Sequence, residues 1–407
     1  MGSLNRITTL TALRYRNYRN YWVGLLVAVM GWQILYFTQL WLVYELTHST
    51  LYLGVTGGAT GVAHICFSVF GGVFADRMDK RRLIIFTQST MVILSFILAT
   101  LIITGLVNVW HIIILAALTG VTSAFDNPAR QALIPYLIDD SKDLTNAVAL
   151  ASSVWSAARV VGPALAGVII VLAGPAICFY ITSVSCGIMV LSLTRLSVGR
   201  FVVSQTRSGL LSEFIEGWRL VLSNRVFFNL ITITFLNSVF GMSFVYLLPV
   251  FATDILAAGP SGFGFLMTSF GVGSILGVLT VASLAEHWYR GRVLLIGNIL
   301  FCALLIVFSL SRSYVFSISL IALTGFFNSI YMTNVLTLLQ ALVPDELRGR
   351  IMGIYSLTWS LMPLGGMQAG ALANFVGVSS VVSIGGLISL SFAMFVAISN
   401  SRIRNLS

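Results

Sequence analysis

The chain has 407 residues, of which 57% are hydrophobic and only 9% charged, and its formal net charge is +10. Soluble globular proteins carry about 25% charged residues, so this composition excludes a water-exposed globular fold and predicts a polytopic membrane protein. The positive charges stand in short segments between apolar stretches, which is typical of membrane topology and not of a nucleic-acid-binding face.

Twelve apolar stretches reach the roughly 20 residues that a membrane-spanning helix needs. They are 20–46, 51–75, 83–105, 108–128, 144–172, 175–195, 226–253, 261–285, 292–311, 314–340, 348–374 and 378–400. A polar segment, 196–225, separates the sixth stretch from the seventh, and its helical spacing of apolar residues predicts an amphipathic helix on the membrane surface. The sequence therefore predicts an all-α fold of twelve transmembrane helices in two six-helix bundles, 1–195 and 226–407, joined by that cytoplasmic linker.

The basic residues define an orientation. Of the 23 Lys and Arg residues, all but Arg159 and Arg312 fall in the termini or in alternate loops on one side of the predicted membrane. The positive-inside rule therefore predicts that both termini and the central linker are cytoplasmic.

Motifs for an enzyme or a primary pump are missing from the sequence. It contains no nucleotide-binding loop, and its four Cys and four His do not cluster. We therefore expect no enzymatic activity, no cofactor and no metal, and transport that runs downhill or is driven by an ion gradient.

A dense charge cluster follows the second apolar stretch, in the sequence GGVFADRMDKRR at 71–82. These charges must form a very short loop at the membrane surface, with Asp76 at a helix end and Arg77 and Arg82 near enough to pair with it. An ordinary basic anchor is the alternative. The loop is echoed 210 positions later, where Glu286 and Arg292 stand opposite Asp76 and Arg82, which indicates duplicated halves.

This loop resembles the one between helices two and three of the major facilitator superfamily, whose pattern is Gly-x-x-x-Asp-Arg-x-Gly-Arg-Arg. Asp79 replaces the second glycine. The resemblance implies two parallel repeats that rock about a midplane substrate site by alternating access. The expected cytoplasmic latch consists of Gly72, Asp76, Arg77, Arg82, Glu286 and Arg292.

Two intramembrane charges are candidate coupling or substrate residues. Arg159 lies well inside the fifth stretch, where a charge is costly unless it is paired or lines a wet cavity. It either contacts an anionic substrate or forms a structural pair with Asp126. Asp126 ends a polar stripe on the fourth stretch, formed with Thr119, Thr122 and Ser123. Arg130, four residues further, is the other possible partner for Asp126.

Further ligand candidates combine aromatic rings with amides, which suits an amphiphilic compound in a mostly apolar pocket. They are Trp32, Tyr36 and Gln39 on the first stretch, Asn237 on the seventh, and Asn328, Tyr331 and Asn334 on the tenth. For each of them, packing or an interfacial position is the alternative. An extracellular interfacial position is favoured for Glu45 over a buried proton site.

Gly162, Pro163 and Gly167 resemble the Gly-Pro motif of superfamily exporters, which is associated with antiport. Ala166 stands where that motif usually has a glycine, and a kinked packing face is the alternative.

The segment AFDNPARQALIP at 124–135 narrows the resemblance to the branch that includes enterobactin exporters and macrolide-efflux proteins. That branch implies a monomer that expels a siderophore-like metabolite or a drug, in exchange for protons, from the bacterial inner membrane. The Arg-containing fourth-helix motif of many drug/proton antiporters is missing from 108–124. Uptake, lipid or lysolipid movement, and a non-transporting sensor or scaffold are the alternatives.

Overall fold

The computed structural model describes residues 8–196, 210–283 and 289–406 of the chain. Within these ranges the regular elements are all helical. The α-helices are α1 (Arg16–Thr47), α2 (Thr50–Arg77), α3 (Lys80–Ile103), α4 (Val109–Leu133), α5 (Leu144–Ala173), α6 (Pro175–Thr194), α7 (Leu210–Ser223), α8 (Arg225–Leu236), α9 (Phe244–Val250), α10 (Gly259–Ser283), α11 (Arg290–Leu310), α12 (Tyr314–Leu342), α13 (Asp345–Ser360), α14 (Met362–Val376), α15 (Val378–Ser399) and α16 (Ser401–Arg404).

Short 3₁₀ helices cover Thr8–Arg14, Ile134–Leu137 and Ser141–Asp143, and wide π-helical turns at Asn237–Gly241 and Phe251–Ile255 flank α9. Ten helical segments of the described chain are long and apolar enough to cross a membrane, with the run from Arg225 to Ile255 counted as one. The two other predicted spans are also helical. One is α2, and the other is the pair α13 and α14, which breaks at Leu361.

The fourth span is longer than predicted. The sequence placed its end at Pro128, whereas α4 continues through this proline to Leu133. Proline lacks the N–H that would bond to the carbonyl of Ala124, yet one missing bond does not stop a helix that packs on its neighbours. Because the helix continues, Asp126 and Arg130 lie one turn apart on the same face.

The contacts of the chain divide it into two compact units. Unit 1 comprises Met1–Leu42 and Val62–Gln205, and unit 2 comprises Val43–Gly61 and Thr206–Ser407. The division in the middle of the chain falls inside the predicted linker 196–225.

Unit 1 is built around α3, which packs on both α4 and α6. Helix α1 is hydrogen-bonded to α5 near its N-terminal end. The hydroxyl of Tyr18 donates to the carbonyl of Ala147 at 2.6 Å, and the indole of Trp22 donates to the carbonyl of Leu150 at 3.2 Å. These bonds orient α1, and they place Trp32 further along the same helix.

Unit 2 is built around α10, α11 and α12. Glycines allow its helices to approach backbone to backbone: a Cβ atom on Gly273 would lie 1.8 Å from the carbonyl oxygen of Ala322. The predicted amphipathic stretch is helical as α7, and Gly217 in it packs against Arg350 and Ile354 of α13.

Candidate substrate cavity in unit 1

A buried ion pair lies at the centre of unit 1. The Nε–H of Arg130 donates to Oδ2 of Asp126, and the two residues are 7% and 9% exposed. The other carboxylate oxygen, Oδ1, accepts from the Thr87 hydroxyl at 2.6 Å and from the Gln88 amide at 3.0 Å. Removing two charges from water is costly, and a buried pair persists only when further hydrogen bonds satisfy it. Here α3 supplies those bonds to α4.

Two polar atoms of this cluster remain without a hydrogen-bond partner. They are Nη1 of Arg130, a donor, and Oε1 of Gln88, an acceptor. Buried polar atoms are nearly always paired, so these two atoms leave hydrogen-bonding capacity in the cluster that the protein itself does not use.

Both residues line a cavity of about 120 Å³. Its wall consists of Ala28, Val29, Trp32, Gln88, Met91, Thr122, Ser123, Asp126, Asn127, Arg130, Trp155 and Cys186. The rings of Trp32 and Trp155 meet edge to face at 5.8 Å, and Tyr36 stacks on Trp32 at 6.0 Å. The cavity thus combines a charged polar end with an aromatic wall, which is typical of small-molecule sites.

His64, on α2, contacts the polar face of α4. Its Nδ1 atom lies 3.0 Å from Oγ of Ser123, whose hydroxyl also donates to the carbonyl of Gly120. This contact could not be predicted from the sequence, because the two residues are 59 positions apart and a hydropathy pattern does not determine which faces of α2 and α4 meet.

Arg159 is not the partner of Asp126. It is exposed on α5 and forms no ion pair with any described acid, whereas Asp126 is held by Arg130 at i+4. Of the two pairings left open by the sequence, the local one is present. Of the predicted polar stripe, Thr122, Ser123 and Asp126 lie at the cavity wall, whereas Thr119 is not among the wall residues.

The other predicted ligand residues of α1 lie outside that wall. Gln39 is buried, and its amide is 3.5 Å from the carbonyl of Ile112. Glu45 is exposed near the end of α1. The neighbouring Tyr44 donates to the carboxylate of Asp254 within unit 2.

The predicted residues of the second half are buried in unit 2. Tyr331 donates to the hydroxyl of Thr234 at 3.0 Å, Asn334 donates to the carbonyl of Ile330 at 2.8 Å, and Asn328 lies 3.7 Å from the sulfur of Met332. Asn237 is fully buried in the wide turn after α8, and neither amide atom has a partner. Their contact with a substrate stays a prediction.

The Gly-Pro motif is a site of close packing. A Cβ atom on Gly162 would lie 2.6 Å from Cβ of Gln33, so glycine allows α5 to approach α1 at this point. Pro163 lies inside the continuous helix α5, and both Pro163 and Gly167 are buried. The packing role that the sequence left open therefore applies to Gly162.

The charged loop is as short as predicted, because α2 ends at Arg77 and α3 begins at Lys80. Arg82 lies 3.7 Å from the carboxylate of Asp79, and that carboxylate caps α3 by accepting from the backbone N–H of Arg82. The pairing of Asp76 with Arg77 or Arg82 stays a prediction. A capping acid is favourable at the N-terminal end of a helix. This explains why aspartate is accommodated where the superfamily pattern has glycine.

Arg81, which the sequence did not single out, donates to the carbonyls of Leu193 and Thr194 at the end of α6, at 2.7 Å each. Arg77 is exposed. Arg292 lies over the ring of Tyr289 at 4.6 Å and bonds to Asn405 at 3.3 Å. Glu286 and the side chain of Asp76 lie outside the described part of the chain.

Close helix contact occurs at Gly71 and not at Gly72. A Cβ atom on Gly71 would lie 2.0 Å from the carbonyl oxygen of Ala124, whereas Gly72 has no neighbour within 4 Å. The carbonyl of Ala124 is the one that Pro128 leaves without its helical donor. Helix α2 therefore packs where one hydrogen bond of the continuous helix α4 is missing.

A family model described as "Transmembrane secretion effector" matches residues 7–406 of this chain. The chain belongs to that family. Its resemblance to the major facilitator superfamily is thereby confirmed, and it is a multi-pass membrane transporter of a small molecule and not an enzyme. No group of three or more metal-ligating side chains occurs among the described residues.

Two curated relatives align over most of their length. The chain is 28% identical to the staphyloferrin A transporter of Staphylococcus aureus, with 89% of this chain and 91% of the relative covered. It is 23% identical to macrolide efflux protein A of Streptococcus pyogenes, with 94% and 96% covered. The crystal structure of the nucleoside transporter NupG has the same fold, with a TM-score of 0.70 at 14% identity, covering 95% of this chain and all of that one.

Proposed function

We propose that this protein exports a small amphiphilic compound, a siderophore-like metabolite or a drug, in exchange for protons across a cell inner membrane. The family description supports secretion, and the two relatives carry names of a siderophore transporter and a drug exporter. Alternating access between two six-helix halves joined by the 196–225 linker, with both termini cytoplasmic, is the mechanism expected of this fold.

The observation that carries the proposal is the Asp126–Arg130 pair at the wall of an aromatic cavity. Among the described side chains, Asp126 is the only buried carboxylate. Ionisable residues inside a membrane protein are expensive and mark ion or substrate pathways. In this proposal Asp126 carries the proton, since its protonation would weaken its attachment to Arg130 and alter the cavity that the substrate enters.

The charged loops complete the mechanism. The loop at 76–82, together with its echo at 286–292, serves as a cytoplasmic latch that closes in the outward-facing state. The capping of α3 by Asp79 and the bonds from Arg81 to the end of α6 support a structured loop at this position. Arg159, exposed on α5, is proposed as a second coupling residue.

The test uses everted membrane vesicles that are acidified inside, with the internal pH followed while siderophores and cationic dyes are added. We expect substrate-dependent proton release that is lost in Asp126→Asn and reduced in Arg159→Ala. Asp254→Asn is the matched control, because it neutralises an exposed carboxylate bound by Tyr44 outside the cavity.

Proton release that survives Asp126→Asn would remove Asp126 from the coupling mechanism. Export of a compound without any proton movement would contradict antiport, and movement only in the opposite direction would indicate uptake.

A further inference from the structure

We infer that His64 of α2 is a second proton-binding site of this transporter: it takes up a proton at Nε2, and the charged ring favours a conformation in which that nitrogen is hydrated. The inference rests on the proposed function, because it adds a proton site to the proposed exchange of a compound for protons. It is carried by the direction of the hydrogen bond between His64 and Ser123 of α4 and by the depth of His64 in a membrane span.

The hydrogen bond between these side chains assigns the hydrogen on the imidazole ring. The Ser123 hydroxyl has one hydrogen, and it donates this hydrogen to the carbonyl of Gly120 at 2.9 Å. The Ser123 oxygen therefore accepts from Nδ1 of His64, which lies 3.0 Å away. Nδ1 thus carries the hydrogen of the neutral ring, and Nε2 has a lone pair that can bind a further proton.

Nε2 of His64 is open to its surroundings. The ring is half-buried, and none of the hydrogen bonds among the described residues involves Nε2. This atom retains accessible surface, in contrast to the enclosed Nη1 of Arg130 and Oε1 of Gln88. The proposed step is an addition: a proton bonds to the lone pair of Nε2, the ring gains one positive charge, and Nδ1 keeps its hydrogen and its bond to Ser123.

His64 lies near the middle of α2. At a rise of 1.5 Å per residue it is about 20 Å along the helix from both Thr50 and Arg77. It is the only His, Asp, Glu, Lys or Arg of α2 before Asp76. Ionisable side chains inside a membrane span are costly and occur in proton relays of pumps and transporters. Histidine is the side chain whose charge ordinarily changes between pH 5 and pH 8.

Helix α4 offers no free counter-charge to a protonated His64. The two groups of α4 that face the ring, the Ser123 hydroxyl and the Gly120 carbonyl, are neutral acceptors. Asp126 is three residues beyond Ser123, and its carboxylate already binds Arg130. A positive charge on His64 would therefore be unpaired on this side.

The other helices that pack on this part of α2 are α14 and α9. Gly61 of α2 meets Pro363 of α14, and the segment Met362–Val376 contains no ionisable side chain. Gly57 of α2 meets the ring of Tyr246 on α9, about two turns from His64. Since an unpaired charge away from water is strongly unfavourable, the described conformation favours the neutral ring.

This preference couples the proton to conformation. A tenfold difference in proton affinity between two conformations changes their population ratio tenfold. Helix α2 is divided between the two compact units, since its residues up to Gly61 belong to unit 2 and those from Val62 belong to unit 1. His64 stands just after this division, so its charge acts on a helix that both units share.

Nitrogen NMR tests the tautomer and the proton on the purified full-length protein in lipid nanodiscs. Histidine is isotope-labelled, and the signals of the four histidines are assigned by replacing one residue at a time. At pH 8 we expect His64 to carry hydrogen on Nδ1 alone. Acidification to pH 5 should add a proton at Nε2 of the same ring.

His111 is the matched control for the tautomer. Its Nδ1 accepts from the backbone N–H of Asn108 at 3.2 Å, so the hydrogen of its neutral ring is on Nε2. We expect opposite tautomers for His64 and His111 in one spectrum. Ser123→Ala removes the acceptor of His64 and should shift that ring towards a mixture of tautomers, with no effect on His111.

Hydrogen exchange without any substrate measures the conformational effect. After correction for the intrinsic effect of pH, exchange at residues 61–68 should be about tenfold faster at pH 5 than at pH 8, the result of a tenfold difference in proton affinity. His64→Gln keeps an amide donor for Ser123 but cannot take a charge, so it should abolish this increase. His111→Gln should retain it. Thermal unfolding of each variant is compared with that of the wild type first.

A ring that stays neutral at pH 5, or that carries its hydrogen on Nε2 at pH 8, would overturn the inference. An increase in exchange that survives His64→Gln would do the same. If His64→Gln does not fold, the titration of the wild type and of Ser123→Ala decides the matter.

These measurements need no substrate, so they separate this inference from the proposed function. Export of the dye ethidium from everted vesicles is measured separately between pH 5 and pH 8. Protonation of His64 with its conformational effect, but without export of any compound, would contradict the proposed function alone. Export whose pH dependence is the same in His64→Gln and in the wild type would contradict the His64 site alone.

Discussion

Asp126 and Arg130 form a buried ion pair across one turn of α4, and two side chains of α3 donate to the same carboxylate. We predict that Arg130→Gln alone lowers the free energy of unfolding by about 3–5 kcal/mol, because it leaves the Asp126 carboxylate buried without a counter-charge. Adding Asp126→Asn should restore most of the loss. Unfolding of the purified protein in detergent, followed by circular dichroism, measures both effects.

The same substitution at an exposed pair is the control. Arg82→Gln breaks an exposed contact with Asp79 and should leave the unfolding transition unchanged. If the single and the double variant at 126 and 130 were equally unstable, the charge imbalance would not be the cause.

Adjacent glycines of α2 have different surroundings. Gly71→Ala would place a methyl group 2.0 Å from the carbonyl oxygen of Ala124, so we predict a loss of about 1–3 kcal/mol in the free energy of unfolding. Gly72→Ala meets no atom within 4 Å and should not destabilise the protein. Both are measured by the same denaturation. Equal effects of the two substitutions would contradict the close approach of α2 and α4 at Gly71.

Arg81 caps the C-terminal end of α6 by donating to the carbonyls of Leu193 and Thr194. A guanidinium there satisfies carbonyls that have no helical donor and complements the helix dipole. We predict that Arg81→Gln lowers stability by about 1–2 kcal/mol and that Arg81→Lys recovers part of it. Hydrogen exchange in the last turn of α6 should increase in Arg81→Gln and stay unchanged in Arg82→Gln.

Acid should release the N-terminal 3₁₀ segment from the start of α5. A hydrogen bond from Tyr15, aided by Thr11 and Arg14, holds the pKa of Asp143 below its ordinary value. A carboxylate with a lowered pKa stabilises the fold above the pKa of the unfolded chain, about 3.9, and loses that contribution as pH falls through the lower folded value. Attachment should therefore be constant between pH 5 and pH 8 and should weaken only below about pH 4.

A nitroxide label at the exposed Leu10 reports this release as increased mobility. Asp143→Asn should give the mobile spectrum already at pH 7 and should remove the pH dependence. A label that becomes mobile near pH 6 would point to a group other than Asp143.

Many features of the protein followed from the sequence because they depend on local length and composition. Within the described residues, every predicted span is helical over most of its length, since a run of about 20 apolar residues has to satisfy its backbone groups internally. The short loop between α2 and α3 followed from the density of charge at 76–82. The family followed from this loop and from the segment at 124–135.

The hydrogen-bond partners of individual polar residues could not be predicted from the sequence. Gln88 meets Asp126 across 38 positions, and Arg81 meets Leu193 across 112. Such pairs depend on the rotation of each helix about its axis and on where a glycine lets two helices approach. In helices that are apolar on most sides, hydropathy leaves that rotation undetermined.

That the chain is a helical membrane transporter could be read from its residues alone, because apolar length and charge placement are set residue by residue. The pairing of Asp126 with Arg130, and not with Arg159, depends on the folded arrangement of the helices. Helix α4 continues past Pro128 because it packs on its neighbours, and that continuation places the two charges one turn apart and closes a cavity around them.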